Sequence, residues 1–247
     1  MLRIDTFLKH EDYQPQDISN KHIAIIDVMR CTTSLLTALE NGAAAIYNYP
    51  TIEASLAAAA EKPGSLLCGE RKGIMIDGFD HGNSPREYTP DAIAGRTLVF
   101  CSTNGSQCFA LAKGAASACT ACLRNADAAA EYLAKAADER INIICAGTVG
   151  RPSLDDIYTA GALIARIIKH LDYEPAMNDS SRIALITYEY YRDTDPLEVL
   201  KTCSTGAKLF RLGYGEDMAF CAQIDVSRAV PLLDDSGCLR LKEAAHE

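Results

Sequence analysis

The stretch His22–Ala43, HIAIIDVMRCTTSLLTALENGA, decides the fold of this chain. It begins with an apolar, β-branched run typical of a strand buried on both faces, passes through a polar turn, and continues with leucines at helical spacing. The same order of strand, turn and helix recurs at Thr97–Ala115 and Ile141–Leu171. Alternating strands and helices predict a three-layer α/β/α fold with a largely parallel or mixed central sheet.

The rest of the chain extends this pattern. The first two helices should end at Asn-Gly and Lys-Gly, and the chain should then return along apolar runs at 43–49 and 117–123. We interpret residues 1–247 as a single domain, or as two intimately packed α/β lobes. The remaining elements are predicted as helices at Thr51–Lys62, Asn125–Asp138, Asp179–Tyr191 and Pro196–Phe210, and as strands on either side of the turn Asp234–Gly237.

Composition and charge restrict the function classes. The chain has 247 residues, of which 48% are hydrophobic and 23% charged, with a net charge of −9 and a pI near 5.1. Such an acidic chain lacks the basic footprint that nucleic acid requires, and no basic amphipathic stretch indicates a membrane surface. The N-terminal stretch lacks the apolar core of a signal peptide, so we expect a cytoplasmic protein without nucleic-acid or membrane partners. A homo-oligomer is left open.

The ten cysteines are interpreted as reduced, buried apolar residues, because the cytosol keeps thiols reduced. Cys119 and Cys122 form a C-x-x-C, but no second pair at zinc-finger spacing accompanies them. The five histidines form no ligand spacing such as H-E-x-x-H. These patterns argue against a zinc enzyme.

The segment Gly69–Tyr88 combines glycines with opposed charges between two apolar runs. Its carboxylates, which include Glu70, Asp77 and Asp80, are the oxygen ligands that Mg²⁺ prefers. Arg71 is suited to holding an anion. The plain alternative is a solvated surface loop with chance ion pairs.

Ligands of open α/β sheets gather beyond the carboxyl ends of the strands, where the free amides of helix starts point at anions. Helix capping is an alternative role for the polar groups there, and a capping box fits Ser153 with Asp156 and Ser84 with Glu87. Three turns occupy such strand ends, at Asp27–Thr33, Ser102–Gly105 and Thr148–Asp156.

These turns and the charged segment supply hydroxyls, amides, arginines and carboxylates without a histidine base. This set of polar groups is suited to phosphoryl transfer, because that reaction needs mainly positioning and charge stabilisation. No G-x-x-x-x-G-K-[ST] motif is present and no G-x-G-x-x-G opens a helix, which removes support for ATP or a dinucleotide. Hydrolysis of a small phosphate ester is the leading interpretation.

Five blocks along the chain form a more specific pattern. They are IDVMRCTTS at 26–34, GERKGIMIDGFDHGNSP at 69–85, STNGS at 102–106, CAGTVGRPSLDD at 145–156 and the segment 206–231. In this order they resemble the Mg²⁺-dependent 2-phosphosulfolactate phosphatase family. The resemblance implies an α/β/α fold, Mg²⁺ as cofactor, a small anionic phosphate ester as substrate, and hydrolysis of 2-phospho-3-sulfolactate to 3-sulfolactate and phosphate, a step of coenzyme M biosynthesis.

Carried over by position, the resemblance implies a set of site residues, and the choice between Asp27 and a water molecule as the attacking group stays open. The predicted catalytic residues are Asp27, Arg30 and Asp80. The predicted substrate-binding residues are Arg71, Asn83, Ser84, Thr103, Asn104, Gly105, Gly147 and Ser153. The predicted metal ligands are Asp27, Glu70, Asp80 and Asp155.

Two other functions fit parts of the sequence. Cys145 and Arg151 match the C-x₅-R spacing of cysteine phosphatases, in which a thiolate attacks phosphorus. A non-catalytic module that binds a phosphorylated metabolite would use the same strand-end pocket. Near the C-terminus, Glu216 and Asp217 are predicted to start a helix rather than to reach the site.

Overall fold

The computed structural model describes residues 2–14 and 17–241. Within these residues, eleven strands join in one sheet and ten α-helices accompany them. The strands are β1 (Arg3–Phe7), β2 (His22–Ile26), β3 (Ala45–Asn48), β4 (Leu66–Arg71), β5 (Ile74–Met75), β6 (Thr97–Cys101), β7 (Ser117–Thr120), β8 (Arg140–Cys145), β9 (Ala176–Met177), β10 (Pro231–Leu233) and β11 (Cys238–Leu241). The helices are α1 (Cys31–Glu40), α2 (Ile52–Ala60), α3 (Pro90–Ile93), α4 (Gly105–Ala112), α5 (Ala126–Ala136), α6 (Leu154–Leu171), α7 (Asp179–Tyr190), α8 (Pro196–Thr202), α9 (Ser204–Arg211) and α10 (Gly215–Cys221).

The three predicted strand, turn and helix units are confirmed as β2–α1, β6–α4 and β8–α6. Helices α1 and α4 end before Asn-Gly and Lys-Gly, where Gly42 and Gly114 take the positive φ that favours glycine. The chain then returns through β3 and β7, as the apolar runs predicted. Helix α2 starts where the Thr51 side chain accepts a hydrogen bond from the amide of Ala54.

The sheet is mixed, with the order β5-β4-β6-β3-β11-β10-β7-β2-β8-β1-β9. One parallel group contains β4, β6 and β3, and a second contains β7, β2, β8, β1 and β9. The C-terminal hairpin β10–β11 lies between the two groups and pairs antiparallel with β7 and with β3. The predicted three-layer α/β/α class with a mixed central sheet is confirmed.

Both faces of the sheet are buried, which explains why the central strands lack an apolar and polar alternation. On β2, Ile23 and Ile25 pack into one apolar core together with α1 and α4. Their neighbours Ala24 and Ile26 face the other side and pack into a second core with α5 and α6. Burying such side chains stabilises the fold by roughly 1.5–3 kcal/mol each.

The C-terminal third departs from the predicted elements at one position. The single helix predicted at Pro196–Phe210 is wrong, because Cys203 adopts an extended conformation (φ −82°, ψ 158°) and separates α8 from α9. The start at Asp195 is confirmed, since its side chain accepts the Leu197 amide. The break turns α9 into an independent short helix, which matters for the site described below.

All ten cysteines are free and buried, as the cysteine pattern predicted. Cys119 lies in β7 and Cys122 in the following turn, both inside the apolar core. Among the described helices, none combines the length and the apolar character needed to cross a membrane.

Candidate active site

The carboxyl ends of β2, β4, β6 and β8 open onto one cavity of about 300 Å³, which we call the strand-end cavity. This is the edge at which open α/β sheets bind ligands. Most of the predicted site residues line it, and these are Asp27, Arg30, Glu70, Asn83, Thr103, Asn104, Gly147 and Asp155. Four separate segments of the sequence therefore meet at one small pocket.

Asp27, which directly follows β2, is the central carboxylate of the cavity. Burial raises its pKa to about 7, and the negative charges of Glu70 and Asp155 contribute in the same direction. Amide hydrogen bonds from Cys31 and Gly105 oppose this shift by stabilising the charged form. A carboxylate whose pKa lies near neutrality is suited to exchanging protons or attacking during catalysis.

Gly105 brings the start of α4 against Asp27. A Cβ atom at this position would lie 2.6 Å from Asp27 Oδ2 and 2.7 Å from Cys31 Sγ, so only glycine allows this approach. Thr103 and Asn104 line the cavity from the same turn. The helix start thus faces the carboxylate and the place where an anion would bind.

Glu70 at the end of β4 joins two turns of the site. Its Oε1 accepts the Thr103 amide at 2.7 Å, and its Oε2 accepts the Gly73 amide. The side chain is only 7% exposed. Because both oxygens are engaged by backbone amides, Glu70 is a fixed negative charge next to Asp27.

Asp155 and Asp156 lie in the first turn of α6 and line the same cavity as Glu70. Asp156 accepts the amides of Val28 at 3.1 Å and Gly147 at 3.0 Å, so it connects the turns after β2 and β8. Burial raises the pKa of both carboxyls, and the charge of Asp155 adds to the rise at Asp156. The capping box predicted for Ser153 and Asp156 is wrong, since neither side chain caps α6.

The Ser153 side chain instead forms a hydrogen bond with the Asp155 side chain. Its hydroxyl donates to Asp155 Oδ1 and also lies 3.2 Å from the hydroxyl of Thr205 on α9. Thr148 contacts the same Thr205 hydroxyl at 3.1 Å. These hydroxyls join the turn after β8 to α9, so Ser153 positions a cavity carboxylate without itself lining the cavity.

Arg30 is the buried cation of the site, with 2% of its surface exposed. Its Nη1 donates to Asp217 Oδ2 at 2.7 Å, its Nη2 donates to the Gly73 carbonyl at 2.8 Å, and its guanidinium lies 4.1 Å from the Tyr214 ring centre. The prediction that Asp217 only starts a helix is wrong, because this carboxylate is buried and pairs with Arg30. The Ser84 hydroxyl donates to the other carboxylate oxygen of Asp217, Oδ1, at 2.7 Å.

Asn83 lines the cavity with its side chain oxygen unpartnered. The residue is 5% exposed, and its Oδ1 has no hydrogen-bond partner among the described residues. Its backbone carbonyl accepts from Ser34 Oγ at 2.8 Å, which fixes the main chain. A buried acceptor without a partner costs free energy, so this oxygen is suited to a bound cation or a ligand hydroxyl.

The structure does not bring Arg71 and Asp80 into the cavity. Arg71 donates to the carbonyl of Pro50 at 3.1 Å and to Cys101 Sγ at 2.9 Å, so it braces β4 against its neighbours. Asp80 is exposed and accepts the amide of Leu67 at 2.8 Å. Neither side chain lines the cavity, because Arg71 is engaged by Pro50 and Cys101 and Asp80 is bonded to the Leu67 amide.

Sequence reasoning missed four polar residues that line the cavity from α9, and also Lys72. The α9 residues recur at helical spacing, which is the signal that could have identified them. The sequence analysis did not use this spacing, because it treated Pro196–Phe210 as one helix. The break at Cys203 gives the second part, α9, its own orientation. The missed α9 residues are Ser204, Thr205, Lys208 and Arg211.

The geometry does not favour the cysteine mechanism. Cys145 is fully buried, and burial followed by the charges of Asp156 and Asp155 raises its pKa well above the ordinary value. A thiol, rather than a reactive thiolate, is therefore expected at neutral pH. Arg151 is exposed and does not line the cavity.

The cavity suits a hard divalent cation. Asp27 and Asp155 are hard oxygen donors whose mutual repulsion a cation would relieve, and Asn83 adds an unpartnered oxygen. Across the described residues, no three His, Cys, Asp or Glu side chains form a ready-made metal centre. That arrangement is compatible with Mg²⁺, which commonly binds through one or two carboxylates, several waters and the substrate phosphate.

The fold is of the three-layer α/β/α class, and the strand-end cavity is its candidate site. A family model described as 2-phosphosulpholactate phosphatase matches residues 7–236. The chain therefore belongs to the 2-phosphosulpholactate phosphatase family, and the predicted resemblance is confirmed.

Individual relatives show the same similarity over nearly their whole length. A protein of Deinococcus radiodurans named "Probable 2-phosphosulfolactate phosphatase" is 42% identical over 222 residues, which cover 87% of this chain and 91% of the relative. Proteins with the same name from Thermus thermophilus and Caldanaerobacter subterraneus are 40% and 33% identical. Their matches cover 85% and 93% of this chain, and 87% and 95% of the respective relatives.

Proposed function

We propose that this protein is a phosphoric monoester hydrolase that converts 2-phospho-3-sulfolactate and water into 3-sulfolactate and phosphate. Family membership over residues 7–236 supports the substrate. The observation that carries the reaction type is the placement of Asp27 beside a buried arginine and two further carboxylates, Glu70 and Asp155, in one strand-end cavity. This arrangement combines a nucleophile or base with groups that stabilise charge on a phosphoryl group.

In the proposed reaction, the P–O bond of the ester breaks and a hydroxyl group from water ends on phosphorus. Asp27 either removes a proton from the attacking water, or attacks phosphorus itself and forms an acyl phosphate that water then hydrolyses. The ester oxygen that leaves takes up a proton, so the products are 3-sulfolactate and phosphate. Arg30, which lines the cavity, offsets the charge of the phosphoryl oxygens. Asp156 and Glu70 hold the surrounding turns in place through backbone amides.

We propose Mg²⁺ as the cofactor, with Asp27, Asp155 and the Asn83 side chain as its protein ligands. When bound, the ion would neutralise the phosphate oxygens and orient the ester. Asp80, predicted from the sequence as a further ligand, has no place in this set because it lies outside the strand-end cavity.

The test is phosphate release from 2-phosphosulfolactate, phospholactate and phosphoglycolate, measured with Mg²⁺ and with EDTA. We expect 2-phosphosulfolactate to be the best substrate, EDTA to abolish release, and thiol alkylation to leave it intact. Loss of activity on alkylation, with resistance to EDTA, would instead favour Cys145. Tight binding of these esters without any phosphate release would identify a binding module.

The two roles of Asp27 can be separated by acid-quenching the enzyme during turnover and analysing its peptides by mass spectrometry. Direct attack predicts a phosphorylated peptide that contains Asp27. If water is the nucleophile, no such peptide accumulates, although phosphate is released during the same interval.

A further inference from the structure

Three basic side chains other than Arg30 line the strand-end cavity together with its carboxylates. Lys72 lies in the turn between β4 and β5, whereas Lys208 and Arg211 lie on α9. They are partly or fully exposed, unlike Arg30, which is buried. The cavity therefore has an acidic interior and a basic, solvent-facing rim, which we call the basic rim.

The basic rim is not neutralised by the protein. Within residues 2–14 and 17–241, none of the three side chains forms an ion pair with a carboxylate within 4.0 Å. Most arginines elsewhere in this part of the chain do form such pairs, and the whole protein carries a net charge of −9. Three cations without a direct carboxylate partner are suited to contacting an acid group of a ligand at this cavity.

Helix α9 presents its cations to the cavity through its periodicity. Ser204, Thr205, Lys208 and Arg211 lie on the cavity side. Leu209 anchors the helix and is 3% exposed. The hydroxyl contact between Thr205 and Thr148 at 3.1 Å fixes the helix start to the turn after β8.

The turn that carries Lys72 is held in an unusual conformation. Lys72 and Gly73 both have positive φ (56° and 88°), as in the two-residue hairpin turns that favour Asn-Gly or Asp-Gly. A lysine at the first of these positions is disfavoured, and such conformations persist where the surroundings impose them. Arg30 and Glu70 impose it here by bonding the carbonyl and the amide of Gly73.

The same turn packs against α9, which brings the two parts of the basic rim together. A Cβ atom at Gly73 would lie 3.1 Å from Leu212 Cδ1 and 3.5 Å from Lys208 Cε. The position of the turn thus depends on hydrogen bonds from Arg30 and to Glu70, and on packing against α9. The basic rim is therefore positioned relative to the carboxylates.

We propose that Lys72, Lys208 and Arg211 form a second anion subsite, which binds the acid groups that remain on the substrate after its phosphate has left. This inference rests on the proposed function, in which the product 3-sulfolactate keeps one sulfonate and one carboxylate. The phosphoryl group then lies beside Asp27 and Arg30, while the remaining acids face the basic rim. The subsite selects phosphate esters with a further strong acid over esters that lack one.

The first experiment compares kcat and KM of the wild-type enzyme, Lys208→Met and Arg211→Met on 2-phosphosulfolactate and on phospholactate, which lacks the sulfonate. We expect each variant to lose about 10-fold or more in kcat/KM for 2-phosphosulfolactate, mainly through KM, because a charge-assisted contact is removed. The loss on phospholactate should be clearly smaller. Equal losses on both substrates, or none, would overturn the subsite.

A matched control and a salt series exclude a purely structural effect. Lys201→Met on the neighbouring helix α8 removes a lysine that pairs with Glu198 outside the cavity, and we expect unchanged kinetics. Raising the salt concentration should increase the KM of the wild-type enzyme for 2-phosphosulfolactate more than that of Lys208→Met, since exposed charges are screened. The same salt response in both proteins would contradict the proposal.

A binding measurement separates this proposal from the proposed function. Titration calorimetry with 3-sulfolactate and with lactate should show tighter binding of 3-sulfolactate by the wild-type protein, and Lys208→Met should reduce that preference. If phosphate is never released but the preference exists, the phosphatase assignment fails and the subsite stands. If phosphate is released but no preference exists, the subsite fails and the phosphatase assignment stands.

Discussion

The two sides of the strand-end cavity are built in opposite ways. Asp27, Glu70 and Asp155 follow buried strands or begin a buried helix, and backbone amides or a hydroxyl hold their oxygens. Lys72 and Lys208 sit on a turn and a short helix, reach into solvent and have no carboxylate partner within the described residues. Bond making requires groups held within fractions of an ångström, whereas recognition of a charged group tolerates long, mobile side chains.

The largest expected effect tests the acidic side. We expect Asp27→Asn to lower kcat by about 10²–10⁴-fold, because amide nitrogen and oxygen neither accept a proton nor attack phosphorus well. Phosphate release at saturating substrate measures it, with circular dichroism to verify folding. The matched control is Asp80→Asn, the same substitution at a predicted site residue outside the cavity, for which activity near wild type is expected. Equal losses in both variants would contradict the placement of the active site.

A second effect tests how the buried cation is held. Asp217→Ala would leave the Arg30 guanidinium buried without its partner, so we expect the free energy of unfolding to fall by about 3–5 kcal/mol. Urea unfolding at constant m-value measures the change. The adjacent Glu216→Ala removes an exposed pair with Arg86 and should change stability by less than about 0.5 kcal/mol. A small change in the free energy of unfolding of Asp217→Ala would show that the burial of Arg30 does not require its ion pair with Asp217.

A third effect concerns the pH dependence of stability in the metal-free protein. The pKa of Asp27 rises from 3.8 to about 7 on folding, so between these pH values the folded state binds more protons than the unfolded state. The resulting stabilisation is present below pH 4 and is lost as the pH rises through 7. Asp27→Asn lacks this dependence, so its stability relative to wild type should increase by about 2 kcal/mol between pH 5 and pH 8. Thermal unfolding in EDTA at several pH values measures this, and a constant difference would contradict burial of the charge.

The smallest effect tests the basic rim. Lys72→Asn places a residue that tolerates positive φ in the hairpin turn, so we expect the fold to become more stable by about 0.5–1 kcal/mol. The same substitution removes a cation, so KM for 2-phosphosulfolactate should rise. Thermal unfolding and initial rates measure the two effects. Stabilisation without a change in KM would mean that the lysine has no part in binding.

Much of the fold could be predicted because its signals are local. In the three repeated units, the apolar run that forms the strand ends at a polar turn, and the turn is followed by helical spacing, as in Ile23–Leu39. The carboxylates Asp27 and Asp155, which the sequence analysis placed at the site, line the cavity because they lie near strand ends, where the topology of an open sheet places ligands. Glu70 likewise lies at the carboxyl end of a strand, β4.

Other parts of the site could not be read from local pattern. Arg71 and Asp80 belong to the same charged segment as Glu70, yet the direction of each side chain depends on how the segment folds back on β4 and β6. Asp217 resembled an ordinary helix-start acid until the fold brought it to Arg30, 187 residues earlier in the chain. The division of the helix at Cys203 likewise depends on packing of α8 and α9 against other helices.

The amino-acid sequence determined the order of strands and helices and the identity of the carboxylates at the strand ends, since hydrophobic periodicity and turn chemistry act between near neighbours. Only the tertiary structure decided which charges meet. It paired Arg30 with Asp217, left Lys208 and Arg211 facing the cavity, and turned Asp80 outward. The physical reason is that electrostatic interactions depend on distance and burial, and these are established only when remote segments pack together.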